Sequence, residues 1–225
     1  MPEHSPRELV PIFFEDTASS YDRIVHRTTF GRDGFWKKQI LNKVSGSSIL
    51  DLACGTGILT RLIAQKFQES DITGIDITKN YLDIAKQKSK QFTNILFVNQ
   101  DAEKLELDKK FDCIVSSYIP KYCDAKILIQ KCIKHLNPEG VIILHDFTYP
   151  KNKTLQIIWN QYFHVLQLLG YFIPRWKKAF LELPELIKNS RWVEDYSSVM
   201  REEGLNVEFE YHTFGCCGII TGKSD

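Results

Sequence analysis

The sequence predicts an α/β fold: a mostly parallel sheet flanked by helices and closed by an antiparallel hairpin. Three observations predict it. Between Ile49 and His145 short apolar runs alternate with helical segments, the pattern of right-handed βαβ crossovers. The first run, Ile49 to Leu52, leads through Ala53-Cys54-Gly55-Thr56-Gly57 into an amphipathic stretch. A glycine turn therefore sits where a strand becomes a helix. After Pro150 the alternation stops, and helical patterns precede two closely spaced strand patterns at the C-terminal end.

Taken in order, residues 1–8 are polar, contain proline and are expected to fray. Leu9 to Tyr21 reads as a helix, and so does Phe30 to Val44, with Phe35, Trp36, Ile40 and Leu41 on one face. The strand Ile49 to Leu52 is followed by a helix from Leu59 to Phe67. Asp71 to Asp76 is the second strand and Lys79 to Lys90 the next helix. Ile95 to Val98 and Phe111 to Ser116 are the third and fourth strands, and Ala125 to Leu136 is helical. Asn137-Pro138-Glu139-Gly140 forms a tight turn into a fifth strand, Val141 to His145, apolar enough to be buried on both faces. Leu155 to Phe172 reads as one helix of about 27 Å. Trp176 to Ile187 is mixed and interrupted by Pro184. Val193 to Glu203 is a helix stopped by Gly204. Val207 to Tyr211 and Cys216 to Thr221 form the hairpin across Thr213-Phe214-Gly215.

Composition narrows the function. With 29 basic and 28 acidic residues the net charge is +1, which gives no global pull toward nucleic acid. The six cysteines include no Cys-x-x-Cys pair, so reduced thiols in a cytoplasmic protein are expected, without a metal site. The first residues lack a signal-peptide core, and no run of about 18 apolar residues exists to span a membrane. A content of 43% apolar residues supports a full core, so residues 1–225 are read as one domain.

The glycine turn carries the chemistry. Gly55 and Gly57 let the backbone bend and a ligand approach closely. A dinucleotide fingerprint would place a third glycine at position 60, where this chain has Thr60. Asp51 precedes the turn and would repel a pyrophosphate, whereas the cationic sulfonium and ammonium of S-adenosylmethionine would be favoured beside it. Asp76 ends the second strand 19 residues after Gly57, where a carboxylate can accept hydrogen bonds from ribose hydroxyls. Asp101 follows the third strand and can accept from an adenine amino group, with the small Ala102 leaving room for the ring. Ser117, after the fourth strand, falls under the methionine end. Each acid also has a simpler reading as a cap or turn residue; their recurrence at successive strand ends favours the ligand.

With these residues in place, the sequence resembles class I S-adenosylmethionine-dependent methyltransferases of the ubiquinone and menaquinone C-methylating (UbiE-like) family. The resemblance runs from about Phe14 to Gly222. It rests on Phe14-x-x-x-Ala18-x-x-Tyr21-Asp22, Phe30-Gly31 with Trp36-Lys37, and the core Leu50-Asp51-Leu52-Ala53-x-Gly55-Thr56-Gly57. It continues in Asp146-Phe147-Thr148-x-Pro150, Phe163-His164-Val165-Leu166-x-Leu168-x-Gly170, and Thr213-x-Gly215 with Gly222. It implies a Rossmann-like, seven-stranded fold with an N-terminal helical cap (1–45), a cofactor core (46–150), a helical lid (151–203) and the hairpin (204–225). It implies cofactor contacts at Thr56, Asp76, Asp101, Ala102 and Ser117, and places Tyr21 near cofactor and substrate. The chain departs from the family after the fourth strand. There Tyr118-Ile119-Pro120-Lys121-Tyr122 replaces a segment with an Arg-Asn pair, and Lys188 to Trp192 replaces an Arg followed by Phe-Pro-Asp.

C-methylation of a phenol-type ring requires a modest base. Tyr21, His26, Tyr118, His145 and Asp146 are the candidates, and Tyr21 and Asp146 are favoured as catalytic. Tyr118, His145 and Tyr162 are expected to contact substrate, although His145 also fits a hydrogen-bonded core histidine. The expected acceptor is a small molecule, foremost a prenylated quinol. O- or N-methylation of another aromatic or lipid-like metabolite is the alternative. The helix from Leu155 to Phe172 is a candidate lid, peripheral membrane contact or homodimer face.

Overall fold

The computed structural model describes residues 6–224. Helices α1 (Leu9–Phe14), α2 (Tyr21–Thr28) and α3 (Arg32–Lys43) precede β1 (Ser48–Leu52). The alternating core follows as α4 (Ile58–Lys66), β2 (Asp71–Asp76), α5 (Lys79–Lys88), β3 (Ile95–Asn99), β4 (Phe111–Ser117), α6 (Ala125–Lys134) and β5 (Leu136–Phe147). Then come α7 (Lys153–Gly170), α8 (Lys177–Asn189) and α9 (Trp192–Glu202), and the hairpin β6 (Asn206–His212) and β7 (Cys217–Lys223).

The strands form a seven-stranded sheet in the order β3-β2-β1-β4-β5-β7-β6. The pairs from β3 across to β5 are parallel, and β7 lies antiparallel to both β5 and β6. Strand alternation sorts the core onto two faces. Leu50, Leu52, Ile114, Ile142 and Leu144 pack with α6 and α9. Ile49, Cys113, Val115 and Ile143 pack with Ile40 of α3 and with Leu59 and Ile63 of α4. Asp51 shares the Ile49 face, so its carboxylate points toward α4. A third core joins the N-terminal helices to α7 and α8 through Phe13, Trp159, Phe163, Leu166, Trp176 and Phe180. Two polar clasps reinforce it: Trp176 Nε1 donates to Ser20 Oγ at 2.9 Å, and the Tyr162 hydroxyl donates to the Thr28 carbonyl.

Several expectations are corrected. Residues 6–8 form a short 3₁₀ turn docked on the body; residues 1–5 lie outside the described residues. The helix expected over Leu9 to Tyr21 is two helices. Thr17 Oγ1 bonds back to the carbonyls of Phe13 and Phe14, and Ser20 Oγ to that of Thr17, an alternative to helical continuation. The next helix begins only at Arg32, because Phe30 and Gly31 are left-handed. Phe35 is 40% exposed while Trp36 is buried; adjacent helical residues point about 100° apart. The expected turn at Asn137 to Gly140 lies within β5, which starts at Leu136 opposite Phe111 and resumes its register at Val141 after a bulge. Pro184 does not interrupt α8, which runs through it.

Candidate active site

Four parallel strands end along one edge of the sheet, and residues at or just past their ends line a cavity of about 370 Å³, within the range of small-molecule sites. It lies where the strand order reverses, since β1 has β2 on one side and β4 on the other. After β1 the chain turns through Ala53, Gly55 and Gly57, all at positive φ. Gly57 is the N-cap of α4 at φ 77°, and a Cβ there would lie 3.0 Å from Arg61 Nη1 and 3.2 Å from Ala85 Cβ. Both conformation and space therefore require glycine. Gly55 lines the cavity, and its N–H donates to Asp76 Oδ2 at 2.8 Å.

Asp76 thus ties the end of β2 to the glycine turn, and its other oxygen accepts from the Thr78 N–H at 2.7 Å. Burial pushes its pKa up, opposed by these two backbone donors. Asp101, Ala102, Ser117 and Tyr118 line the same cavity. Asp101 caps the turn beyond β3 by accepting from the Glu103 N–H at 3.0 Å. Asp51 and Thr56 line a smaller void of about 30 Å³ that shares Tyr21, Ala53, Gly55, Ser117 and Tyr118 with the larger one. Asp51 is fully buried, which pushes its pKa up to about 7 despite the Thr60 hydroxyl donating at 2.6 Å. Thr56 Oγ1 donates to Asp22 Oδ1 at 2.5 Å, which fastens the turn to α2.

Tyr21 lines both spaces. Its ring stacks on Trp176 at 6.1 Å and meets Tyr81 edge-on at 5.2 Å. Burial raises its pKa well above 10, so it stays a neutral hydroxyl. Three other expected residues stand back from the cavity. Asp146 is fully buried and accepts from the Lys121 ammonium at 2.6 Å, the Lys121 N–H at 3.1 Å and the Phe147 N–H at 2.7 Å. His145 lies behind Ser117, with Nδ1 at 3.0 Å from Ser117 Oγ and Nε2 buried without a hydrogen-bond partner. Burial, with Lys37 and Lys121 nearby, holds its pKa well below 6.5, so the ring is neutral. Tyr162 tethers α7 to α2 through its hydroxyl.

Other residues of the site were given no role from sequence. Thr60 stands where a dinucleotide site would have glycine, and it clamps Asp51. Arg7 pairs with Asp101, and with Glu103 at 2.5 Å, across the rim of the cavity. Asp33 and Lys37 form a buried ion pair one turn apart on α3, and Asp33 Oδ1 accepts from the Tyr118 hydroxyl at 2.8 Å. The i,i+4 acid–base spacing beside Trp36 and Ile40 was the available signal. The side chains of Lys121 and Asp146 are 2% and 0% exposed. The lysine lies 4.4 Å from the Tyr122 ring centre and 5.5 Å from that of Tyr118, and it donates to the Tyr118 carbonyl at 3.2 Å.

The fit of S-adenosylmethionine follows from these groups. Two carboxylates, at the end of β2 and just past β3, face one cavity beside a glycine turn, with a buried carboxyl in the adjoining void and no phosphate-binding third glycine. This sheet order and site define an S-adenosylmethionine-dependent methyltransferase. Solved structures of the same fold include magnesium protoporphyrin IX methyltransferase from Synechocystis PCC 6803 with bound S-adenosylhomocysteine (SAH). It is 16% identical, with a TM-score of 0.66 over 97% of this chain and 99% of that one. A DhpI–SAH complex matches with a TM-score of 0.67, at 15% identity over 99% and 98%. More particularly, the chain belongs to the ubiE/COQ5 methyltransferase family, whose profile matches residues 3–224. Its relatives include the demethylmenaquinone methyltransferases of Thermotoga maritima, 27% identical over 93% of both chains, and of Staphylococcus aureus, 24% identical over 97% of this chain and 94% of that one.

Proposed function

We propose that this methyltransferase alkylates a ring carbon of a hydroxylated, quinol-type acceptor bearing a prenyl tail. The observation that carries this reading is that Phe14, Tyr21, Tyr118 and Tyr122 line the same cavity as the acids of the strand ends. It suits a flat ring, and the names of the full-length relatives support the same acceptor class. S-adenosylmethionine, when bound, supplies an electrophilic methyl group. In this assignment Asp76 accepts from the ribose hydroxyls and Asp101 from the adenine amino group, with Ala102 beneath the ring. The glycine turn, Thr56 and Ser117 hold the methionine end, and Asp51 lies near its positive charge. The chain's main work is alignment and exclusion of water. Tyr21 serves as wall. Asp146 holds Lys121 and through it the turn that carries Tyr118.

Incubation with methyl-labelled S-adenosylmethionine and demethylmenaquinol tests the reading. Label should enter the ring. Cofactor binding without transfer to any quinol would overturn it. Asp76→Ala should weaken cofactor binding about 10- to 100-fold, since it removes charge-assisted hydrogen bonds of ~1.5–3 kcal/mol and orphans the Gly55 N–H. A second reading, O- or N-methylation of another aromatic metabolite, is favoured by one observation: Lys121 is engaged by Asp146 and presents no cation to a quinol oxygen. Release of SAH in a metabolite panel separates the two.

The same reading places α7 against a membrane surface. Ile157, Ile158, Val165, Leu168, Leu169 and Phe172 are exposed. Residues 154–174 contain no Asp, Glu, Lys or Arg, and they are bracketed by Lys151, Lys153, Arg175, Lys177 and Lys178. Among the described residues no helix is long and apolar enough to cross a membrane.

A further inference from the structure

Ring methylation through a hydroxylated acceptor needs a group that takes the hydroxyl proton. The two carboxyls nearest the chemistry in sequence are unsuited to it. Asp146 is closed off by Lys121 and two backbone N–H groups, and Asp51 accepts from the Thr60 hydroxyl and is assigned to the cofactor's positive charge. The Tyr21 hydroxyl remains protonated. One carboxylate has a route to the acceptor wall. Asp33 Oδ1 takes the hydrogen bond of the Tyr118 hydroxyl at 2.8 Å, and the Lys37 ammonium binds the same oxygen.

Tyr118 is built into this position. Its φ is 80°, a conformation costly for a bulky residue and found where surroundings over-determine it. Its N–H donates to the His145 carbonyl at 2.7 Å, and its carbonyl accepts from Lys121. Its ring stacks on Phe147 at 4.9 Å and meets His145 edge-on at 5.0 Å. Tyr118 lines both cavities, and Lys37 lines the smaller one, with its ammonium 4.9 Å from the centre of the Tyr118 ring. The hydroxyl donates to Asp33 and retains a lone pair to accept from a ligand.

We propose that Tyr118 relays the acceptor's hydroxyl proton to Asp33, with Lys37 positioned to stabilise the anionic oxygen left on the acceptor. Tyr118 and Lys37, which face the acceptor oxygen, are the catalytic residues; Asp33 acts through Tyr118. Burial and Asp33 raise the Tyr118 pKa well above 10, so the phenol passes a proton on and does not hold the charge. The balance is complete. The acceptor O–H breaks, its proton joins the Tyr118 oxygen, and the former Tyr118 proton joins Asp33. The electron-rich ring carbon bonds to the methyl group, and the carbon–sulfur pair stays with sulfur. The ring proton then leaves to solvent as Asp33 returns its proton through Tyr118 to the acceptor oxygen. One proton is released per turnover and the relay is reset.

This inference rests on the hydroxylated-ring reading, and the test separates the two. The probe is a nitronaphthol, whose absorbance reports its ionisation, bound to the SAH-loaded protein. Wild type should bind it as the naphtholate, lowering its apparent pKa by at least one unit. Tyr118→Phe and Asp33→Asn, both isosteric, should abolish that shift with unchanged SAH affinity by calorimetry. In turnover, both variants should lose about 10²- to 10⁴-fold with demethylmenaquinol, and much less with acceptor analogues whose hydroxyl is more acidic. Variants that keep the probe shift, or lose rate equally with both acceptors, would overturn the relay. A wild type that ionises the probe but methylates no quinol would sink the acceptor assignment and leave the relay standing.

Discussion

Asp51 shows how one buried side chain couples binding to pH. In the unfolded chain an aspartate titrates near 3.9; in the fold burial moves Asp51 to about 7. The ligand-free protein therefore holds a proton that the unfolded chain releases. This contribution to stability is fully present below about pH 4 and is lost as pH rises toward 7. Asp76 and Asp146, also pushed up by burial, act in the same direction. A cation beside Asp51 reverses the preference, because it favours the carboxylate. Calorimetry in buffers of different ionisation enthalpy should therefore show a proton released on S-adenosylmethionine binding near pH 6.5, and affinity should rise from pH 6 to pH 8. Asp51→Asn should flatten both responses. The residue was legible in sequence because it precedes the glycines. Its clamp, Thr60, was noticed only as a missing glycine, since a hydroxyl's partner is set by which face of β1 and which turn of α4 meet.

At the scale of elements, the turn after β4 depends on an ion pair drawn from the end of β5. Lys121 joins Asp146, the Tyr118 carbonyl and three aromatic rings. Breaking such a buried pair leaves an uncompensated charge and costs about 3–5 kcal/mol, whereas replacing both partners with apolar groups costs far less. Asp146→Leu alone should lower the unfolding free energy by that amount in urea titrations. Lys121→Met with Asp146→Leu should recover most of it while methyl transfer stays impaired, because the Tyr118 carbonyl loses its donor. The segment Tyr118 to Tyr122 was recognised from sequence as a departure from the family. Its pairing was not, because an Asp ending a strand and a Lys in a loop 25 residues earlier carry no local mark of each other. Helix ends show the same limit: side-chain bonds from Thr17 and Ser20 split an apolar pattern into α1 and α2.

For the whole molecule, the outer face of α7 is the surface that composition and exposure single out together. Phe172 is 84% exposed, and basic residues stand at both ends of the uncharged stretch, the arrangement expected of a helix lying in a lipid interface. Co-sedimentation with vesicles containing anionic phospholipid should retain wild type. Leu168→Ser with Phe172→Ser should release it with no change in S-adenosylmethionine affinity. Binding that depends on neither substitution, or a stable dimer that buries α7 without vesicles, would refute membrane docking.

The sequence by itself determined the order of strands and helices, the glycine turn and the acids at successive strand ends. All of these follow from spacing along the chain: period-two or helical alternation, a residue without Cβ at a bend, and a carboxylate at or just past a strand end. Only the tertiary structure decided which charges meet and which face the cavity. Asp33 reaches Tyr118 across 85 residues and Arg7 reaches Asp101 across 94, while Asp146, favoured with Tyr21 as catalytic from sequence, lies sealed against Lys121. A side chain's partners and its water are fixed by packing between distant segments, and local periodicity carries no record of that packing.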